Sequence, residues 1–353
     1  MDFTPTEEQA AARDLAARIF GDLATHERLA AAGSGSDAEL WKALCAAGLI
    51  AAVAETGLLG LVLILEEQGR TTAQVPFAAS CAYGLLPVAA HGSPEQRERL
   101  LPGIGDGTVV VCGAVSSPSP VRVTAEGRLR GVVPAVPWLR DATHALVADD
   151  RRRLWLVRTA DARCEPVELT APWSAGRLVL DGTPGERLGA GAGREPGGDA
   201  EGVHADVLAT ARTAFAGLQA GVCAGSLARA VEHTNTREQF GRPLATQQAV
   251  QLRAADAYMD TEAIRVTAYE AAWRRDEGLP HVTHALTAAW WASEAGRRVV
   301  HGGQHLHGGT GADLEHPVHR HFLWGRQLDA YLGCGDEVLQ ELGELLVSGE
   351  GGA

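Results

Sequence analysis

The 353-residue chain has no excess of basic residues. Its 31 Lys and Arg stand against 44 Asp and Glu, a formal net charge of −13. A phosphate backbone or an anionic lipid surface repels such a chain, which argues against nucleic acid and membrane surfaces as partners. No apolar run reaches the ~18 residues expected of a membrane span. The start, Met1 to Glu8, has neither the basic residues nor the apolar stretch of a secretion signal. The six cysteines, Cys45, Cys81, Cys112, Cys164, Cys223 and Cys334, are scattered, and none forms a CxxC pair. That spacing suits buried thiols of a cytoplasmic protein better than a disulfide framework. There is no internal repeat. What is present is a 46% hydrophobic content, enough for a large core.

The texture of the chain changes twice. Up to residue 107 it reads as helices. Thr6 with Gln9 predicts a capping box, Asp37 a cap for a helix through Leu44, and Ser93-Pro94 a helix start. Leu58 to Gln68 reads as an apolar helix. From 108 to 190 short β-like runs are cut by Gly and Pro: Val109–Cys112, Ala145–Ala148, Leu154–Val157 and Leu178–Leu180. Their spacing predicts a small antiparallel β-barrel or sandwich. Gly189 to Gly202 is Gly-rich. Within it, Gly189-Ala190-Gly191-Ala192-Gly193-Arg194 superficially matches a dinucleotide loop but lacks the strand–loop–helix context, so it reads as a connector. From 203 to 350 the chain is Ala-rich and helical, with segments near 204–236, 245–277, 281–306 and 326–347 predicting a four-helix bundle. The expected fold class is α+β, mainly α, in three domains: 1–107, 108–190 and 203–350.

Two motifs in the last part carry chemistry. The first is Arg237-Glu238-Gln239-Phe240-Gly241-Arg242-Pro243-Leu244, followed by Gln248. A guanidinium presents fixed donors that fit phosphate oxygens in pairs. The second is His305-Leu306-His307-Gly308-Gly309-Thr310-Gly311, followed by Glu315-His316-Pro317. Paired glycines let backbone approach a phosphate closely. The histidines His301, His305 and His307, and His316, His319 and His321, come with no H-E-x-x-H or Cys/His signature, so no metal site is expected.

The order helices, β segment, helical bundle, together with these two motifs and the opening Phe3-Thr4-Pro5-Thr6-Glu7-Glu8-Gln9, resembles the acyl-CoA dehydrogenase family. The resemblance implies FAD bound between the β domain and the bundle, with a neighbouring subunit reaching the adenylate half of the flavin. It places Arg237 on the FAD pyrophosphate and Gln239, Phe240 and Gln248 at neighbouring flavin contacts. Gly308 and Gly309 match the turn that approaches FAD from across a subunit interface, and His305 stands where the family often has glutamine. In the middle domain the family's T-E-P-x-x-G-S-D loop is represented only by Val115-Ser116-Ser117-Pro118. Ala135-Val136-Pro137-Trp138 resembles its W-I-T-like strand. Ser116 and the Val136 backbone are therefore the expected flavin contacts there, and Trp138 reads as core.

Dehydrogenation of an acyl thioester requires a desolvated base for a weakly acidic α-proton. The family's glutamate in a Y-E-G-like motif corresponds to Leu332 in Tyr331-Leu332-Gly333-Cys334. Its alternative site, before the arginine matched by Arg212, corresponds to Ala211. Both standard positions are apolar. Arg212 is a candidate for a substrate contact, and Asp329, three residues before Leu332, for a displaced base. The resemblance is to the shortened subunit of actinobacterial heterotetrameric enzymes of the steroid side-chain type. That implies lipid or steroid metabolism, an acyl-CoA or other acyl thioester substrate, an electron-transfer acceptor, and a longer homologous subunit in an α2β2 assembly that supplies the base. A homo-oligomer with a relocated base or monooxygenase-type chemistry, and a non-catalytic scaffold, are the alternatives.

Overall fold

The computed structural model describes residues 2–116, 118–190 and 200–348. Ser117, residues 191–199 of the Gly-rich connector, Arg194 among them, and residues 349–350 of the expected bundle lie outside them. The helix starts form as their caps predict. In α1 (Glu7–Leu23) Thr6 Oγ1 accepts from Gln9 N, while Gln9 Oε1 accepts from Thr6 N at 3.0 Å. After α2 (His26–Ala32), the carboxylate of Asp37 accepts from Leu40 N to cap α3 (Ala38–Ala46). Next come α4 (Leu49–Thr71), α5 (Phe77–Ala79) running through a π-turn into α6 (Leu86–His91), and α7 (Pro94–Gly105), capped by Ser93.

The strands are β1 (Val111–Ala114), β2 (Arg122–Val123), β3 (Leu129–Val136), β4 (His144–Ala148), β5 (Leu154–Arg158), β6 (Arg163–Pro166), β7 (Gly176–Thr183) and β8 (Glu186–Arg187). They make two four-stranded sheets, ordered β1-β4-β5-β8 and β2-β3-β7-β6. The expected antiparallel barrel is corrected in two respects: these sheets do not close on one another, and β1 pairs with β4 in parallel. Parallel pairing requires a crossover, which the long excursion through β2 and β3 provides. β3 was hidden in the sequence by Gly131 and Pro134, residues that usually break strands. Pro134 is accommodated because the register against β7 shifts between Val133 and Val136.

The chain then forms α8 (Ala200–Thr236), a hairpin of β9 (Glu238–Gln239) and β10 (Arg242–Pro243), α9 (Gln248–Asp276), α10 (Val282–His307), α11 (Val318–Leu328) and α12 (Gly335–Ser348). The helix expected at 326–347 is two helices. The chain turns between them at Gly333, whose φ of +106° suits glycine.

The protein divides into two compact units: Met1–Arg28, Val62–Ala73 and Arg212–Ala353 in one, Leu29–Leu61 and Gln74–Ala211 in the other. In the first, α4 and α8 cross at backbone contact. A Cβ at Gly221 would stand 2.0 Å from Glu66 O. Buried Glu66 is held by Arg265 of α9, Nε to Oε2 at 2.9 Å. In the second, Asp37 N bonds Gln74 O, and Trp138 stacks on Trp173 at 5.6 Å. Helices α4 and α8 are long and apolar enough to cross a bilayer by length and composition, yet 67% and 72% of their most apolar windows are buried, as in core helices.

Candidate cofactor site and acyl pocket

The first motif is a hairpin at the end of α8. Arg237 N bonds His233 O at 2.8 Å, continuing the helix by one residue, and Leu244 N returns to Arg237 O at 2.9 Å. Between these bonds β9 pairs with β10 around a two-residue tip, Phe240 and Gly241, with φ +56° and +75°. Two positive φ values in a two-residue loop follow the right-handed twist of the flanking strands. Arg237 and Gln239 are exposed, and Phe240 is 91% exposed. Gln248 is exposed at the first turn of α9.

The second motif ends α10. His307 closes the helix, and Gly308, with φ +63°, opens a 3-10 turn from Gly308 to Ala312. Nothing lies within 4 Å of a Cβ built on Gly308 or Gly309, so their backbone is open to a ligand. His305, Gly308 and Gly309 are all exposed. The turn is anchored from below: Thr310 Oγ1 donates to His307 O, and Gln304 Nε2 donates to Gly311 O.

Two histidines join the motifs. The ring of His233, one helical turn before Arg237, lies 4.7 Å from that of His307, which immediately precedes Gly308. His316 adds a third ring 5.0 Å from His307. Partial burial, reinforced by His307 next to both, holds the imidazoles of His233 and His316 below the usual pKa. Neutral rings can stack where imidazolium ions would repel. Among the described residues no group of three or more His, Cys, Asp or Glu is arranged to hold a metal ion. Sequence reading grouped these histidines but missed His233; its spacing of four from Arg237 was the available signal.

Beside the turn lies a cleft of about 1000 Å³ between α9 and α10, lined by Leu252, Arg253, Asp256, Arg298, His301, Gln304, His305 and Gly308 among others. Thus His305 and Gly308 line it, whereas Arg237, Gln239, Phe240 and Gln248 do not. Its donors are guanidinium, imidazole and amide groups beside open backbone, a set suited to phosphate and nucleobase edges.

In the other unit, Val136 ends β3 fully buried, Ser116 is exposed, and the Val115 carbonyl accepts from His204 Nε2 at 2.8 Å. Trp138 is 2% exposed, has φ +64° and stacks on Trp173.

Leu332, at one expected base position, lines a small pocket together with Arg212, Phe215 and Tyr331. Ala211 is buried, and Arg212 next to it sends Nε to Leu332 O at 3.3 Å. Its Nη1 and Nη2 fork onto Glu341 of α12 at 2.8 and 2.6 Å. Tyr331 meets Phe215 edge-on with centroids 4.7 Å apart. Asp329 caps α11 with both oxygens engaged: Ser293 Oγ donates to Oδ1 at 2.8 Å, and Arg326 Nη1 lies 2.9 Å from Oδ2. Its carboxylate is thus tied to α10 and to the last turn of α11. Glu341 escaped sequence reading because nothing on an amphipathic helix distinguishes it from Glu337 or Glu344.

Residues 202–343 match the model of the acyl-CoA dehydrogenase C-terminal domain, and residues 6–108 that of the acyl-CoA dehydrogenase N-terminal domain. Acyl-CoA dehydrogenase FadE27 of Mycobacterium tuberculosis is 34% identical across 98% of this chain and 99% of its own length. The chain belongs to the acyl-CoA dehydrogenase family. The family's members are FAD-dependent oxidoreductases acting on CH–CH groups, and its homologues bind FAD. Among solved structures, the Tcur3481–Tcur3483 steroid acyl-CoA dehydrogenase G363A variant superposes with a TM-score of 0.89 at 39% identity, over 98% of this chain and 99% of that one. The ChsE4–ChsE5 complex from Mycobacterium tuberculosis does so with a TM-score of 0.89 at 31% identity, over 98% and 99%. The exposed Arg237 guanidinium and the open backbone at Gly308 and Gly309 fit the pyrophosphate of FAD.

Proposed function

We propose that this chain is the base-lacking subunit of a heteromeric FAD-dependent acyl-CoA dehydrogenase. It lends its hairpin and glycine turn to the flavin, while a longer homologous chain supplies the glutamate. The observation that carries this reading is a mismatch within one chain. The phosphate-facing motifs are intact and exposed, whereas Ala211 and Leu332 replace the base and Asp329 is engaged by Ser293 and Arg326. The two relatives solved as pairs of different chains, Tcur3481–Tcur3483 and ChsE4–ChsE5, support a heteromeric partner.

FAD, when bound, supplies the acceptor for the substrate's β-hydride. This chain's own contribution is to binding. Arg237 neutralises pyrophosphate charge with paired donors, and Gly308 and Gly309 admit phosphate to the backbone. Gln239, Gln248 and His305 offer further hydrogen bonds, and Phe240, exposed at the hairpin tip, gives an apolar surface for a partner or the cofactor. Helix α9 also exposes Leu252, Met259 and Val266 at seven-residue intervals, a stripe fit for a second bundle. In the other unit, exposed Ser116 is the contact offered to the flavin ring, whereas the expected Val136 contact is fully buried within its sheet. The substrate class is an acyl thioester, with a steroid side chain favoured by the similarity to a steroid acyl-CoA dehydrogenase. Electrons leave to a separate electron-transfer acceptor.

Expression of the chain alone and with the adjacent longer homologue tests this. Size, bound flavin and acyl-CoA oxidation with an artificial acceptor are measured for each. The expected result is an α2β2 assembly that holds FAD and oxidises acyl-CoA, beside an inactive chain alone. Full oxidation by the chain alone refutes it.

A further inference from the structure

The pocket beside Leu332 is shut by a device that the absence of a base does not require. Arg212 is buried, its side chain only 8% exposed, at the start of the bundle unit. All three of its guanidinium nitrogens are engaged. Nε holds the Leu332 carbonyl, and the two terminal nitrogens hold both oxygens of Glu341. One side chain therefore ties α8 to the turn between α11 and α12 and to α12 itself. The turn is pinned from its other side: a Cβ on Gly333 would stand 3.0 Å from Val338 Cγ2, and Cys334 N donates to Glu337 Oε2. The space that remains is about 20 Å³, room for one water molecule.

Apart from Arg212 the lining is mainly apolar: the small residues Ala216, Ala289 and Ala292 of α8 and α10, and the bulky Phe215, Leu328, Tyr331 and Leu332. Two of these, Tyr331 and Leu332, belong to the turn that Arg212 holds. Moving that turn would uncover an alanine-walled chamber with a guanidinium at its edge. That chemistry suits an aliphatic chain ending in a carbonyl or carboxylate.

We propose that the Arg212–Glu341 pair is a latch: Glu341 occupies the guanidinium that would otherwise face an acyl ligand and keeps the Tyr331–Gly333 turn closed over an acyl chamber. Glu341 is thus a specificity-determining residue, acting through Arg212, that denies this chain's pocket to acyl thioesters. The inference rests on the reading that thioester chemistry belongs to the partner. Its test is independent of flavin retention and of turnover.

The full-length chain is titrated with octanoyl-CoA by isothermal calorimetry, as wild type and as Glu341→Ala, Glu341→Gln and Glu344→Ala. Glu344 lies on the same helix, exposed and hydrogen-bonded to Gln340, and serves as the control. The wild type and Glu344→Ala are expected to show no saturable site. Glu341→Ala is expected to gain one site per chain, at least tenfold tighter than any wild-type binding. Glu341→Gln keeps the side-chain length and one hydrogen bond and is expected to gain a weaker site. It carries the test if the alanine variant loses its wild-type circular dichroism. Stoichiometric binding by the wild type, an equal gain in Glu344→Ala, or no gain in a folded Glu341 variant overturns the latch. Loss of FAD binding or of partner assembly would count against the proposed function and leave the latch standing.

Discussion

His321 on α11 should make this protein acid-sensitive in a window where carboxylates are still ionised. It is 1% exposed, and its Nε2 lies 3.0 Å from the Arg70 carbonyl of α4. Helix α8 closes the third side: a Cβ on Gly225 would stand 2.5 Å from the same nitrogen. Burial, with Arg229 and Arg320 adding repulsion, outweighs the Arg70 carbonyl and pushes the imidazole down to about 4, against 6.5 in the unfolded chain. Below 6.5 the unfolded chain takes up a proton that the folded one refuses. The stability from His321 is therefore complete above that value and is lost as pH falls towards 4. Linkage sets the loss at about 2 kcal/mol between pH ~7.5 and pH ~5, and about 3 kcal/mol by pH ~4. Urea unfolding of wild type and His321→Gln across that range measures it. The wild-type curve should fall about 2 kcal/mol further than the variant's down to pH ~5, whatever the variant's stability at neutral pH. Parallel profiles would refute the assignment of a buried neutral imidazole.

Three further outcomes follow from the geometry. Arg237→Ala should weaken flavin retention by roughly 1.5–3 kcal/mol, the worth of a charge-assisted phosphate contact, with thermal stability of the apo chain unchanged. Flavin titration of the assembled complex checks it. Gly221→Ala should destabilise the first unit by about 3 kcal/mol or more, because the new methyl would meet the Glu66 carbonyl at 2.0 Å and force α8 from α4; denaturant unfolding reads the loss. Asp329→Asn should cost about 1 kcal/mol through the lost Arg326 pairing and leave acyl-CoA oxidation by the assembled complex intact. Loss of turnover with FAD and assembly retained would instead mark Asp329 as the base.

Local order was legible in the sequence wherever a short-range rule acts alone. Thr6-x-x-Gln9, Asp37 and Ser93-Pro94 start helices where they should because a cap satisfies backbone donors within three residues of itself. The strands at 144–148 and 154–158 were legible because β-branched and apolar runs lie between clear turn signals. The two glycine- and arginine-bearing motifs were visible because a tight hairpin tip and a helix-ending turn with positive φ leave few residue choices.

What the tertiary structure decided are the contacts between residues far apart in the chain. The parallel pairing of β1 with β4 depends on where the chain returns after β2 and β3. The tolerance of Pro134 in β3 depends on a register shift against β7. The partners of Asp329, Ser293 of α10 and Arg326 of α11, appear only once the helices pack. Glu341 acquired a role only when folding brought it to Arg212, 129 residues away. The sequence by itself determined which backbone groups are capped and where the hairpin and the glycine turn fall. It could not determine which charged groups neutralise one another, because ion pairing depends on distance in space and carries no local signature.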